Sequence, residues 1–509
     1  MASAPHQNND SANAAVVLSL LTIISSIILL LKLTRSKLPP GPLGLPLLGS
    51  LLSVDPELHH YFDSLARFYG PVLSLRLGSK LFVVLSSPAA VREALKDQDI
   101  VFANHEPPAA AAAAFPIFLR DLIFSPYGPL WRSLRKISMR ELLSSVGIEA
   151  VRPLRRREVR RAVAGLRARE GKPVEVRDLA FTTAFAVMTS ILWGVSPDDK
   201  EMSREFREVV DGIEQIMAVP NVSDFFPALA ALDLQGLASR MKVLHERYDT
   251  LVEKFVEKRS RGGRSFFQQM REVLERGDEP ESLTMDNVKA LLLDLIGGGT
   301  DTTSTTIEWA MTHLMVKPHM LKRVVDELDA AVGRDKRAVE EDDLPNLPYL
   351  LAVIKETLRL HPVLPLLLPY CPSSTCTVGG FCIPKGSKVF VNVWAIHRDP
   401  LLWEDPLEFK PERFLNPNNK YDFKGTNFSY LPFGTGRRIC VGILLAEKMM
   451  MYMMASFLHL FDWQVPEGHK LEFRERFGIA LKKTEPLLLI PKARFDKVDH
   501  LYNSEGETT

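Results

Sequence analysis

Four cysteines are all that this 509-residue sequence carries, three close together (Cys371, Cys376, Cys382) and one apart (Cys440). That is too few to staple a fold of this size, and it points to a reducing compartment. Net charge is nearly absent too: 63 Lys+Arg against 62 Asp+Glu leave +1, so no global field draws the chain toward nucleic acid. No Gly-x-Gly-x-x-Gly fingerprint introduces a strand-helix unit, so any reducing nucleotide is handled by another protein. Neither Lys nor Arg precedes the apolar run Ala14–Leu31, only Asp10. A secretory signal needs a basic leading segment, and its lack favours a retained anchor over a cleaved peptide.

That run holds 18 uncharged residues, roughly 27 Å of helix and enough to cross a thin bilayer once. Lys32, Arg35 and Lys37 follow it, which places the rest of the chain on the cytosolic side. Next comes Pro39-Pro40-Gly41-Pro42 with Gly44, Pro46 and Gly49, a stretch that cannot be helical. The reading is therefore an anchor with basic flank (1–38), a Pro/Gly-rich hinge (39–49) and one catalytic body (50–509). Hydrophobic residues make up 46%, ample for a large core. Apart from six alanines at 109–114, no repeat or low-complexity block breaks the body. Helical periodicity dominates 131–361, notably 201–217, 238–259 and 284–316. Strand-like runs are short: 72–77, 81–85, 388–393 and 487–490. The fold class expected is mainly α with a small β region.

The strongest chemical signal is Phe433-Gly434-Thr435-Gly436-Arg437-Arg438-Ile439-Cys440-Val441-Gly442. A lone cysteine is usually a small buried hydrophobe. Here glycines permit tight turns and close approach of a flat ring, and Arg438 offers a fork of donors for a carboxylate. The apolar run after Cys440 reads as a helix whose positive end favours thiolate. The pattern suits a metal held in a planar anionic cofactor.

A second signal is Gly297-Gly298-Gly299-Thr300-Asp301-Thr302-Thr303 inside a helical stretch. Each glycine costs about 1 kcal/mol against alanine there, so the three serve either ligand approach or close helix packing. The Thr302 and Thr303 hydroxyls can compete for backbone carbonyls and open the helix. Glu356-Thr357-Leu358-Arg359 sets opposite charges at i and i+3, and Pro411-Glu412-Arg413-Phe414 follows later. Trp131 and Arg135 share a helix face. Two basic stretches, around Arg132 and Lys136 and from Arg152 to Arg161, read as solvated helix faces or docking patches.

The cysteine loop resembles the haem-binding signature of cytochrome P450 enzymes at Phe433, Gly436, Arg438, Cys440 and Gly442. The other motifs resemble the same family in its order from about Pro39 to Pro491. Ser125-Pro126-Tyr127-Gly128 and Trp394-Ala395-Ile396-His397-Arg398-Asp399-Pro400 are similar to plant microsomal members. The resemblance implies a P450 fold preceded by one transmembrane helix, haem b with Cys440 as iron ligand, and Trp131 and Arg135 as haem-propionate contacts. It assigns Asp301 and Thr302 to the acid-alcohol pair that relays protons. It makes Glu356, Arg359 and Arg413 a buried network securing the haem loop. Where many plant relatives carry a basic residue to a propionate, this chain has Tyr370, which brings a hydroxyl but no charge.

The resemblance also implies an enzyme of the endoplasmic reticulum membrane that uses O2 and NADPH through NADPH-cytochrome P450 reductase, docked near Arg132 and Lys136. The pocket segments of relatives fall here on Ala109–Ala114, Phe115, Phe118, Leu291, Leu292, Val363, Leu364, Leu366, Leu367, Ile479 and Leu481. So apolar a lining fits a small lipophilic substrate. Motif wording is similar to the plant group holding sesquiterpene and flavonoid hydroxylases, and a terpenoid is expected, with a flavonoid or other phenolic as the alternative. A haem-thiolate lyase or isomerase is a rival, but such relatives often lack the acid-alcohol pair. A non-catalytic haem protein would need neither that pair nor the pocket.

Overall fold

The computed structural model describes residues 38–114, 119–194, 200–258, 265–277, 283–416, 418 and 421–495, with the isolated Ser19 and Thr22. The expected anchor at 14–31, save for those two residues, lies outside them, as do Phe115 and Phe118.

Helices account for most of the described chain. Those that frame the site are α1 (Pro129–Ser138), α2 (Arg152–Arg167), α3 (Val176–Trp193), α4 (Lys200–Ala218), α5 (Leu237–Lys258), α6 (Met285–Val316), α7 (Pro348–Leu360) and α8 (Ile443–Leu460). Their starts follow local chemistry. Pro129 opens α1 at a position where its missing N–H costs nothing. Thr284 caps α6 in a reciprocal box: its hydroxyl accepts the Asn287 N–H, and the Asn287 side chain accepts the Thr284 N–H at 2.9 Å. From there α6 runs unbroken for 32 residues through the three glycines, because buried packing on α3 outweighs their weak propensity.

The expected helices at 201–217, 238–259 and 284–316 are found within about a residue as α4, α5 and α6. β1 (Val72–Leu77) and β2 (Lys80–Leu85) form an antiparallel hairpin, and β3 (Lys388–Val391) pairs with β2 in parallel, Phe82 opposite Lys388. A second small sheet joins Val174–Glu175, Leu488–Ala493 and Phe461–Gln464. Its first and last members escaped sequence reading because pieces of two to four residues carry too little periodicity.

The segment after Leu38 lies against β1. Ser74 donates its hydroxyl to Pro39 O at 2.7 Å and its amide to Pro40 O at 2.8 Å. A Cβ on Gly41 would fall 1.6 Å from Ser74 O, so only glycine permits this approach.

α3 and α8 are long and apolar enough to cross a membrane, but 78% and 72% of their spans are buried inside the protein, which makes them core helices. The arginine run on α2 is a solvated face only in part: Arg157 and Arg161 are exposed beside Glu158, and the other four are paired with an acidic turn. Arg155 is fully buried on Glu341 (2.7 Å to both oxygens), Arg156 and Arg160 reach Glu340, and Arg152 reaches Asp342. The acidic turn at 340–342 thus pairs with four of the run's arginines.

Candidate active site

A cavity of about 280 Å³ lies between α6, the start of α8, the 363–370 segment and the 432–442 loop. Cys440 is deep among protein atoms, yet its side chain opens to this cavity. Two glycines shape its loop by left-handed backbone: Gly434 (φ 72°) and Gly436 (φ 70°). At Gly436 a Cβ would stand 2.4 Å from Leu95 O, so no side chain fits. Cys440 N–H donates to Phe433 O at 3.1 Å, and Gly442 N–H, at the mouth of α8, donates to Sγ at 3.3 Å. Burial pushes the thiol up, and the Gly442 N–H and Arg135 offset this only in part. The expected thiolate-favouring groups are present, but desolvation outweighs them until a cation binds the sulfur.

Facing the loop, α6 contributes Asp294, Leu295, Gly298, Gly299, Thr302, Thr303 and Thr306. The glycines divide their labour. A Cβ on Gly298 would meet open space, whereas one on Gly299 would press on Met188 of α3 at 3.1 Å. Thr302 Oγ1 donates to Gly298 O at 2.6 Å without breaking the helix. Asp301, next in sequence, turns away from the cavity. It is buried with Arg177 at 2.5 Å and Lys482 at 3.0 Å, beside Glu214. Burial alone would raise its pKa, but Lys482 and Arg177 hold it below the ordinary carboxylate value.

Trp131, Arg135 and Arg438 meet at the other edge, both guanidiniums over the indole (5.4 and 4.5 Å). Trp131 Nε1 donates to Leu122 O at 2.9 Å, and Arg135 donates to Ile439 O at 3.0 Å. Arg438 bonds the carbonyls of Ala103, Leu122, Ile123 and Ser125, which ties the 103–125 segment to the cysteine loop. Burial draws its pKa down to about 10. Tyr370 and His105 complete this edge, their rings 4.8 Å apart.

The family model for cytochrome P450 matches residues 39–490. The chain belongs to the cytochrome P450 family. A flavonoid 3'-monooxygenase of Crocosmia x crocosmiiflora is 40% identical over 498 residues, 94% of this chain and 97% of the relative. One of Oryza sativa subsp. japonica is 40% identical over 484 residues, 90% and 91% of the two chains. A zebra fish cytochrome P450 with abiraterone superposes with a TM-score of 0.73 at 28% identity, covering 86% of this chain and all of that one.

As a P450 the protein is a monooxygenase whose cofactor is haem with a thiolate-ligated iron, using O2 and electrons delivered by a reductase. The residues present fit that group: a thiol open to an apolar cavity, a loop kept tight where Gly436 admits no side chain, and two arginines at one edge. When bound by Cys440, haem would supply oxygen activation, which a thiolate ligand favours in this family.

Of the pocket residues expected from sequence, Val363, Leu364 and Leu367 line the cavity. Leu291, Leu292, Leu366 and Leu481 are instead sealed in the core. Leu481 N–H bonds Val363 O at 2.8 Å, supporting the lining from behind. Ile479 and the 109–114 helix are not part of the lining. Asp294 and His105 were missed, since a polar residue reaches an apolar cavity only through tertiary packing.

The P450 haem-loop network is present as expected. Glu356 and Arg359 are fully buried and paired at 2.7 and 2.8 Å, and Arg413 joins Glu356 at 3.1 Å.

Proposed function

We propose that this P450 hydroxylates the aromatic ring of a flavonoid or related plant phenolic, at the endoplasmic reticulum membrane and with NADPH-cytochrome P450 reductase as electron donor. The terpenoid expectation gives way to its alternative, because the similar relatives are named for flavonoid 3'- and 3',5'-hydroxylation. The observation that carries the reading is the cavity, with Cys440 on one wall, Thr302 on the other and mostly apolar side chains between.

In this reading Cys440 is the iron ligand, and Phe433 and Gly436 shape the loop that presents it. Arg438, Arg135 and Trp131 face the carboxylate edge of the cofactor. The Thr302 hydroxyl holds a proton donor at the cavity wall, and Asp301 replenishes it by exchanging its ion pairs with Lys482 and Arg177. Arg132 and Lys136, exposed on α1, offer cationic groups to the reductase. The 1–38 anchor and 39–49 hinge tether the 50–509 body to the membrane.

The test is to express the full chain with a plant reductase in microsomes and supply a 4'-hydroxylated flavanone with NADPH. The expected product carries a second hydroxyl on the pendant ring. Turnover of a sesquiterpene with no flavonoid oxidised would overturn the reading.

A further inference from the structure

Asp294 and Thr302 both line the cavity from α6. Eight residues apart on one helix, they stand about 12 Å from each other along that wall. Asp294 is buried, and its Oδ2 accepts the Leu122 N–H at 2.7 Å, with the Ile123 N–H as a second donor. Among the described residues no cation pairs with it. Tyr248, also nearby, commits its hydroxyl to Lys289 O.

Its neighbour is a second buried carboxyl, Asp121, which accepts the Phe124 and Ser125 N–H groups at 2.6 and 2.9 Å and faces Arg438. Two adjacent carboxyls away from water do not both ionise. Both carboxyls accept backbone N–H groups and burial raises both, Asp121 to about 7, but Arg438 stands near Asp121 alone, so the negative charge belongs there. Burial and the Asp121 charge together push Asp294 well above the ordinary value, so it keeps its proton. A carboxylic acid on an otherwise apolar wall is a hydrogen-bond donor in a fixed place.

We propose that Asp294 is a substrate-orienting residue: its carboxyl group donates a hydrogen bond to an oxygen at the end of a multi-ring substrate remote from the carbon that is oxidised. This rests on the flavonoid reading for the substrate's identity. A fused two-ring system with a pendant aryl ring is of the length that separates Asp294 from Thr302. With the oxygenated fused rings at Asp294, the pendant ring lies by Thr302. Among the described residues Asp121 Oδ2 has no hydrogen-bond partner and competes for the same proton, which would make Asp294 only a clamp on the 121–125 loop.

The experiment measures ligand-induced shifts of the Soret band in the full-length holoenzyme, wild type against Asp294→Ala. Two ligand pairs are used: a hydroxylated flavanone with its deoxygenated flavan, and a sesquiterpene alcohol with its parent hydrocarbon. Expected is a loss of about tenfold in affinity for the oxygenated member, the worth of one hydrogen bond, with the hydrocarbon member unchanged. The second pair keeps the test alive if no flavonoid is a substrate. Equal weakening of both members, or of neither, overturns the proposal. Should the variant not take up haem, infrared difference spectra of the wild type decide. An oxygenated ligand must shift a protonated-carboxyl band that its deoxygenated partner leaves in place, and the absence of such a shift rejects the assignment.

Discussion

Arg359 and His397 hold each other by reciprocal hydrogen bonds: the guanidinium donates to His397 O at 2.8 Å, and the imidazole Nδ1–H donates to Arg359 O at 3.1 Å. That leaves Nε2 as the acceptor for the Leu431 N–H at 2.9 Å, at the head of the cysteine loop. Glu356, Arg359, His397 and Leu431 therefore form one chain of contacts from a buried ion pair to the haem ligand's own loop.

Arg359→Ala leaves Glu356 buried with its main partner gone, a loss of about 3–5 kcal/mol. The expected protein accumulates without Soret absorbance. Recovery of a haem-replete variant with a changed product would show that the pair acts on substrate choice instead.

Acid sensitivity follows from two histidines. Burial, with Arg359 and Arg398, draws His397 from 6.5 to about 3, and burial with Arg438 does the same to His105. Between those values the unfolded chain binds more protons than the folded one, so stability falls as pH drops from about 6.5 toward 3. Thermal loss of the Soret band should shift to lower temperature across that window. A midpoint independent of pH there would count against this account.

Cys440→Ala should abolish the thiolate-type band in the carbon monoxide difference spectrum of the reduced protein. Persistence of that band would place the ligand elsewhere.

Thr302→Ala removes the cavity-side hydroxyl that bonds Gly298 O. Haem content should hold and NADPH consumption continue, while product per NADPH falls by about a hundredfold, the lower range for lost proton transfer, and peroxide replaces it. Full coupling in the variant would defeat the proton-holding role.

Lys482 is the largest group lowering the Asp301 pKa, and it also pairs with Glu214 at 2.8 Å. In Lys482→Met both carboxyls should titrate higher, so coupled product formation should gain a dependence on pH, falling as pH rises through the raised range; Lys482→Arg should restore the wild-type profile. A profile unchanged in Lys482→Met would separate Asp301 from proton supply.

The residues around Cys440 were legible because their chemistry is local: turn glycines, a cysteine and a following helix are contiguous. Long helices were legible for the same reason. The phase of α6 against the cavity was not. Leu291 and Leu292 lie on the same helical stripe as Leu295 and Thr302, but the core closes over them one turn too early. Nor could spacing reveal that Asp301 and Thr302, adjacent in sequence, serve opposite sides of α6, since Arg177 and Lys482 come from distant segments. Arg155, Arg156 and Arg160 of α2 looked solvent-facing until Glu340 and Glu341 were brought to them by the fold.

α8 begins three residues after Cys440 and has the length and composition of a membrane span. By length and composition α8, like α3, passes for a membrane span until the fold buries it. Because Gly442 both caps α8 and bonds Sγ, seating the cofactor and hiding that signal draw on the same few residues.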